Sequence, residues 1–296
     1  MENKTYDLFA IIEEKFNKLS KGQKLIANYI INHYDKAAFM TAAKLGNVVG
    51  VSESTVVRFA SELGFDVYPK LQKVLQELIK SKLTPVQRLE VSSNRIGEDN
   101  ILKSVLQSDM EKIKITLEEI DQEAFNKVVE SLLNARKIYI LGVRSSATLA
   151  SFLGFYFNII FDNLRLVHTN SVSEMFEQIM KATVGDVVIG ISFPRYSKRT
   201  IKAMKFVKSQ GATTIAITDS KESPLAENAD LLLTARSDMA SFADSLVAPL
   251  SVINALIVAI SMRKKKEVYD SFEKLEKIWD EYEVYEKYDD YEVHRS

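Results

Sequence analysis

At 296 residues the chain has room for two domains, each with its own core. Apolar residues at 46% and charged residues at 27% describe a globular protein, and a net charge of −1 excludes an overall electrostatic pull toward nucleic acid or an acidic membrane. The absence of cysteine excludes disulfides and thiolate metal sites.

The opening run MENKTYDLFAIIEEKF is acidic and lacks the basic and apolar regions of a signal peptide. The greasiest stretch, Leu246 to Ile260, is interrupted by Pro249, Ser251 and Asn254 and is too short for a bilayer. A cytoplasmic protein with no membrane partner is therefore expected.

Up to about Lys80 the pattern is helical throughout. Leu8, Ile11, Ile12, Phe16 and Leu19 follow one helical face, and Leu25, Ile26, Tyr29, Ile30 and His33 follow another after Ser20, a natural N-cap. The strongest motif is AAKLGNVVGVSESTVVRFASELGF. With Gly50 as the turn glycine, Leu45 and Val49 of a first helix face Val56 and Phe59 of a second. Gly46 stands at the crossing and Val51 plugs the turn, which is the spacing of a helix-turn-helix. Ser52 caps the second helix, and Glu53 follows favourably in its first turn. The outer face of that helix then offers Ser54, Thr55, Arg58 and Ser61. Ser54 and Thr55 suit base edges or phosphates in the major groove, and Arg58 suits guanine or phosphate. An ordinary helical hairpin is the alternative, and local charge does not decide, since residues 1–80 carry 11 basic and 9 acidic side chains. Tyr68-Pro69 predicts a further helix start, with Lys70 placed for backbone contact.

Residues 81–100 have linker composition, with a helical turn expected at Val86 to Leu89. A long helix from Ile101, carrying Leu102, Val105, Leu106, Ile113 and Leu117, precedes a second from Glu123 to Leu133. Thereafter five short apolar runs (KIYIL, RLVH, DVVIGI, TTIAIT and DLLLT) alternate with helical spacing, most clearly over Ser146 to Phe161, Val172 to Lys181, Ser197 to Gln210 and Ser245 to Met262. Such alternation predicts a five-stranded parallel sheet covered on both faces, with ligands beyond the carboxyl ends of its strands. Two turns there carry hydroxyls. ILGVRSSATLA opens a helix with Ser145 and Ser146, and ISFPRYSKRT places Ser192, Arg195 and Ser197 around a Phe-Pro break. Serine N-caps are one reading, and an anion site at two helix starts is the other. The apolar helix after Ser245 suggests a subunit interface as well as core. Residues 264–296 hold 7 basic and 11 acidic side chains and five tyrosines, read as a helix followed by an acidic aromatic tail.

The run GVSESTVVRFASELGF, followed by Tyr-Pro and another helix, resembles the N-terminal domain of the RpiR family of bacterial transcription regulators. Those proteins join it to a sugar isomerase (SIS) domain, a flavodoxin-like sheet that binds phosphosugars. The resemblance implies an all-α helix-turn-helix domain over 1–80, a linker over 81–100, an α/β SIS domain with leading helices over 101–263, and the tail over 264–296. It implies operator DNA and a phosphorylated sugar as partners, within a homodimer or homotetramer. SIS domains typically read S-x-S-G-[ED]-[ST] in the second serine loop. Ser192 and Ser197 match its first and last hydroxyls, while Pro194, Arg195 and Tyr196 depart from the positions between. Ser146 matches the hydroxyl that the first loop directs at the sugar, and Arg144 replaces a glycine common there. Ser241, in the segment after the fifth strand that SIS dimers often lend to the pocket, is a further candidate, with helix capping as its alternative.

Aldose–ketose isomerisation needs a base near the reacting carbons and a proton shuttle. Of three histidines, His33 lies in the N-terminal helices, His294 in the tail, and only His168 near the expected crevice. Glu174 and Glu177 read as a solvated helix face. No Walker loop, G-x-G-x-x-G or metal-ligand cluster is present, so neither cofactor nor metal is expected. The reading is a regulator that holds a phosphosugar without converting it. A phosphosugar isomerase with a helical association domain, and a DNA-binding protein whose SIS half is only a dimerisation platform, are the alternatives.

Overall fold

The computed structural model describes residues 8–80, 84, 86–89, 100–169, 171–237 and 243–285. The N-terminal part is a bundle of helices: α1 (Leu8–Lys15), α2 (Lys21–Asn32), α3 (Tyr34–Ala37), α4 (Ala42–Val49), α5 (Glu53–Glu62) and α6 (Tyr68–Lys80). Ser20 caps α2 in a full capping box with Gln23, satisfying two N–H groups that the helix itself leaves open. Leu8, Ile12, Ile26, Ile30, Leu45, Val56, Phe59, Leu71 and Leu75 close into one buried cluster. Three polar side chains pin α6 to the α3–α4 corner. Tyr68 Oη and Gln72 Nε2 both donate to the Met40 carbonyl at 2.9 Å, and Gln76 Nε2 donates to that of Ala38 at 2.9 Å.

After a helical turn at 86–89 come α7 (Ile101–Glu119) and α8 (Gln122–Leu133). The α/β part then runs β1 (Lys137–Gly142), α9 (Ser145–Ile160), β2 (Leu164–Val167), α10 (Val172–Ile179), β3 (Asp186–Ile191), α11 (Lys198–Ser209), β4 (Thr213–Thr218), β5 (Leu231–Thr234), α12 (Val247–Arg263) and α13 (Lys265–Glu281). The five strands form one parallel sheet in the order β2-β1-β3-β4-β5. This is the expected doubly wound, flavodoxin-like sheet.

Alternate strand residues enter opposite cores, as a sheet period of two requires. Ile138, Ile140, Val187 and Ile189 pack with α8, α9 and α12, whereas Tyr139, Leu141 and Val188 pack with α10 and α11. Both faces being covered explains why the strands read as apolar runs rather than alternating ones. Among the described residues no single helix is long and apolar enough to cross a membrane.

Candidate functional site

In the bundle, α4 and α5 cross closely because Gly46 lacks a side chain. A Cβ there would lie 2.7 Å from the Val51 carbonyl oxygen. Gly50 ends α4 with φ 78° and ψ 34°, a left-handed turn that glycine adopts without strain. Ser52 caps α5, its Oγ accepting from the Thr55 N–H at 3.3 Å. The same oxygen lies 2.9 Å from Ser54 Oγ and 2.8 Å from Thr55 Oγ1, so three hydroxyls cluster at the helix start. Arg58 folds back along the exposed face, donating Nε to the Ser54 carbonyl at 3.3 Å and Nη2 to Ser54 Oγ at 3.4 Å. Thr55 departs from a purely outward position. It is half-buried, and its methyl faces Gly22 of α2, where an added Cβ would come within 3.3 Å. Lys70 is exposed on α6 and paired with Asp66, a bond that holds the Asp66 carboxyl below the usual carboxylate range.

In the sheet, β1 and β3 are neighbours in register from Lys137–Asp186 to Gly142–Ile191. The chain leaves β1 toward β2 and leaves β3 toward β4, so the two exits diverge and open a crevice between them. Both serine turns sit at that point. After β1, Gly142 permits close approach, since a Cβ there would stand 2.6 Å from the Ser146 carbonyl oxygen. Arg144 then takes φ 57° and ψ −128°, a conformation normally left to glycine. The turn shape that a glycine would give is thus kept by a strained arginine. No side chain caps α9; the Ala147 N–H bonds back to the Arg144 carbonyl at 3.0 Å, and the positive end of the helix dipole faces the turn. Ser145 is exposed there and Ser146 is buried.

After β3, Ser192 is buried, and its Oγ accepts from the Ser197 N–H at 3.1 Å. Ser197 in turn caps α11 by accepting from the Thr200 N–H at 3.3 Å. Each hydroxyl uses an acceptor lone pair in closing the loop, which leaves its proton to donate. Phe193 and Pro194 are buried under the loop, and Arg195 is exposed at its tip. Tyr196 stands where SIS loops often carry an acid. Its Oη donates to Asp219 Oδ1 at 2.8 Å, tying the loop to the end of β4. Sequence reasoning missed this bond, which joins residues 23 apart. It also missed Thr200 Oγ1, buried without a hydrogen-bond partner in the first turn of α11. Ser241 and His294 lie outside the described residues.

The acid–base candidates are dispersed. His168 is exposed beyond β2, and His33 is exposed at the end of α2 against the Tyr29 ring rather than on a buried face. Glu174 accepts from Thr169, and Glu177 accepts from Ser173 Oγ at 2.8 Å. Among the described residues no three histidine, aspartate or glutamate side chains are grouped for a metal ion.

Comparison with known families agrees with this anatomy. The model of the rpiR-family helix-turn-helix domain matches residues 6–82, and that of the SIS domain matches 131–259. The chain belongs to the RpiR family. As an RpiR-family protein it is a transcriptional regulator with a DNA-binding helix-turn-helix and a SIS domain. It is 26% identical over 271 residues to the HTH-type transcriptional regulator HexR of Escherichia coli, covering 88% of this chain and 90% of that one. Its α/β half superposes on the sugar isomerase domain of an RpiR transcription factor from Sphaerobacter thermophilus with a TM-score of 0.56 and 26% identity, over 59% of this chain and 97% of that one. A third similarity is to the NanR protein of Vibrio vulnificus, solved in complex with ManNAc-6P. There the TM-score is 0.55 and the identity 20%, over 92% and 98% of the two chains, which speaks for the fold.

Proposed function

We propose that this RpiR-family regulator controls genes of carbohydrate metabolism by holding a phosphorylated sugar or sugar derivative at the β1–β3 crevice without converting it. The observation that carries the reading is the pair of loop serines. Ser192 and Ser197 accept bonds from the loop backbone and keep their hydroxyl protons for an anion. Across the crevice, the uncapped start of α9 with Ser145 and Ser146 supplies N–H donors, and Arg195 supplies a guanidinium. An isomerase reading requires a base and a proton shuttle in the same crevice. Tyr196, held on Asp219, occupies the place of the acid, and the relatives compared carry the names of regulators.

In this reading Ser52, Ser54, Thr55, Arg58 and Lys70 contact operator DNA. A homodimer or homotetramer places two recognition helices on half-sites one helical turn apart. Effector binding shifts the balance between two arrangements of the assembly by as much as its affinities for them differ.

The test is thermal unfolding of the full chain with sugar phosphates and the matching free sugars. A ligand confined to the folded state raises the melting temperature with its concentration over Kd. Stabilisation by a phosphosugar but not by its dephosphorylated partner is expected. Equal response to both overturns the anion site, and turnover of a sugar phosphate restores the isomerase reading.

A further inference from the structure

The two helix starts at the crevice do not address one point. Helix α9 packs on one face of the sheet with Ile138 and Ile189, whereas α11 packs on the other with Tyr139 and Val188. Their N-terminal ends therefore meet the strand ends from opposite sides, each with its own donors. A single phosphate held by Ser192 and Ser197 at the start of α11 leaves the α9 side unanswered. There Ser146, 6% exposed in the first turn, gives its hydroxyl to no partner among the described residues. A buried hydroxyl normally finds a partner, and this one stands idle beside the positive end of a helix.

The charges follow the same division. Residues 142–147 and 192–200 contain four basic side chains and no acidic one, in a chain whose net charge is −1. Arg144 stands in the first turn and Arg195 in the second, both exposed and neither bonded among the described residues. Arg195 serves the phosphate at the start of α11. Arg144 has no such partner, although its backbone is held at φ 57° and ψ −128°. Asp219, the carboxylate that follows β4, is 8% exposed and already accepts from Tyr196 and Thr218. Glu174, beyond β2, is bonded to Thr169. The crevice thus offers donors on both sides and few side-chain acceptors, which suits a ligand with anionic oxygens at both ends.

We propose that the effector carries two anionic groups: a phosphate at the start of α11, and a second phosphate or a carboxylate at the start of α9, where Arg144 selects it together with Ser145 and Ser146. The ligand class is a sugar bisphosphate or a phosphorylated sugar acid. Adjacent strands run about 4.8 Å apart, so donors beyond the ends of β1 and β3 fall within the length of one small sugar. A guanidinium grips phosphate and carboxylate alike in a two-pronged, charge-assisted contact. Each helix dipole favours an anion at its own start, and a neutral hydroxyl end would leave one of them unmatched. The second site presupposes the phosphate site proposed above and adds its ligand class.

Inorganic phosphate separates the two anions without knowledge of the sugar. The melting temperature of the full chain is followed against phosphate concentration at constant ionic strength. Near saturation, its rise with the logarithm of concentration scales with the number of ions bound. Arg144→Gly and Arg144→Ala, which differ in backbone strain, are both expected to cut that rise by about half. Ser192→Ala with Ser197→Ala is expected to remove the other half. For the wild type, 6-phosphogluconate or glucose 1,6-bisphosphate is expected to bind about tenfold more tightly than glucose 6-phosphate, and Arg144→Gly to abolish that preference. The better of the two tells a carboxylate from a second phosphate. A phosphate response unchanged in both Arg144 variants overturns the inference, as does a preference for glucose 6-phosphate. A response insensitive to the serine pair but halved by the Arg144 variants counts against the proposed function instead.

Discussion

Arg88 and Asp244, 156 residues apart, form an ion pair of 2.7 Å that joins the helical turn at 86–89 to the segment before α12. Arg88 is 3% exposed and Asp244 17%, so the pair is largely shielded from solvent. The turn at 86–89 is thereby held close to Ser245, which donates to Asp109 of α7. Removing one partner of a buried pair strands the other charge and costs about 3 kcal/mol. Arg88→Met is expected to lower the unfolding free energy, read from urea titration, by that order. Arg88→Met combined with Asp244→Leu is expected to lose less than either single change, as read by a double-mutant cycle.

Gly46→Ala tests the crossing of α4 and α5. The added methyl meets the Val51 carbonyl oxygen at 2.7 Å, a backbone atom that cannot step aside. A cost of about 2 kcal/mol in the N-terminal bundle is expected, within the range for overpacking. Operator binding is lost with it, while any sugar-phosphate stabilisation of the α/β half persists. The measurement is operator affinity alongside the ligand-induced thermal shift.

Tyr68 gives a pH dependence with a definite sign. Burial pushes its phenol from the usual 10.0 up to about 12. The folded state thus favours the protonated form, and the stabilisation is complete below pH 10 and lost as pH rises through about 12. Tyr68→Phe removes this titration together with the bond to Met40. The gap in urea midpoint between wild type and Tyr68→Phe is expected to narrow from pH 9 to pH 11, measured on both proteins in parallel.

Arg144 carries backbone strain at the crevice, with φ 57° and ψ −128°. Glycine adopts this conformation freely, while an L side chain costs on the order of 1 kcal/mol or more. Arg144→Gly is expected to raise the melting temperature of the α/β half by about 2–4 °C. Arg144→Ala keeps the Cβ and is expected to gain nothing. Scanning calorimetry of the two variants separates backbone strain from loss of the guanidinium.

The strands were legible because a sheet buried on both faces needs uninterrupted apolar runs, and VVIGI or TIAI between turns admits little else. The helix-turn-helix was legible because Gly46, Gly50 and the Ser52 cap must stand at fixed offsets from Leu45 and Phe59. Periodicity also marked a helix through Leu102, Val105, Leu106, Ile113 and Leu117, but spacing has no sign: Val105 is half-buried, while the other four share an exposed face of α7. Only the bonds from Arg236 and Ser245 to its polar side show that this face turns outward. The Tyr196–Asp219 and Arg88–Asp244 bonds join residues distant in sequence, and their residue types are common on any surface. The strained turn at Arg144 was concealed because its residue type argues against the conformation it adopts.

The most direct test of the account is operator affinity, titrated by fluorescence anisotropy at fixed salt, with and without a sugar phosphate that stabilises the protein. Salt is held constant because phosphate contacts dominate such affinities. The account predicts a change of at least about fivefold in operator Kd at saturating sugar phosphate, and none with the free sugar. An operator affinity unmoved by a sugar phosphate already shown to bind would contradict it, and would leave the α/β half a platform for association.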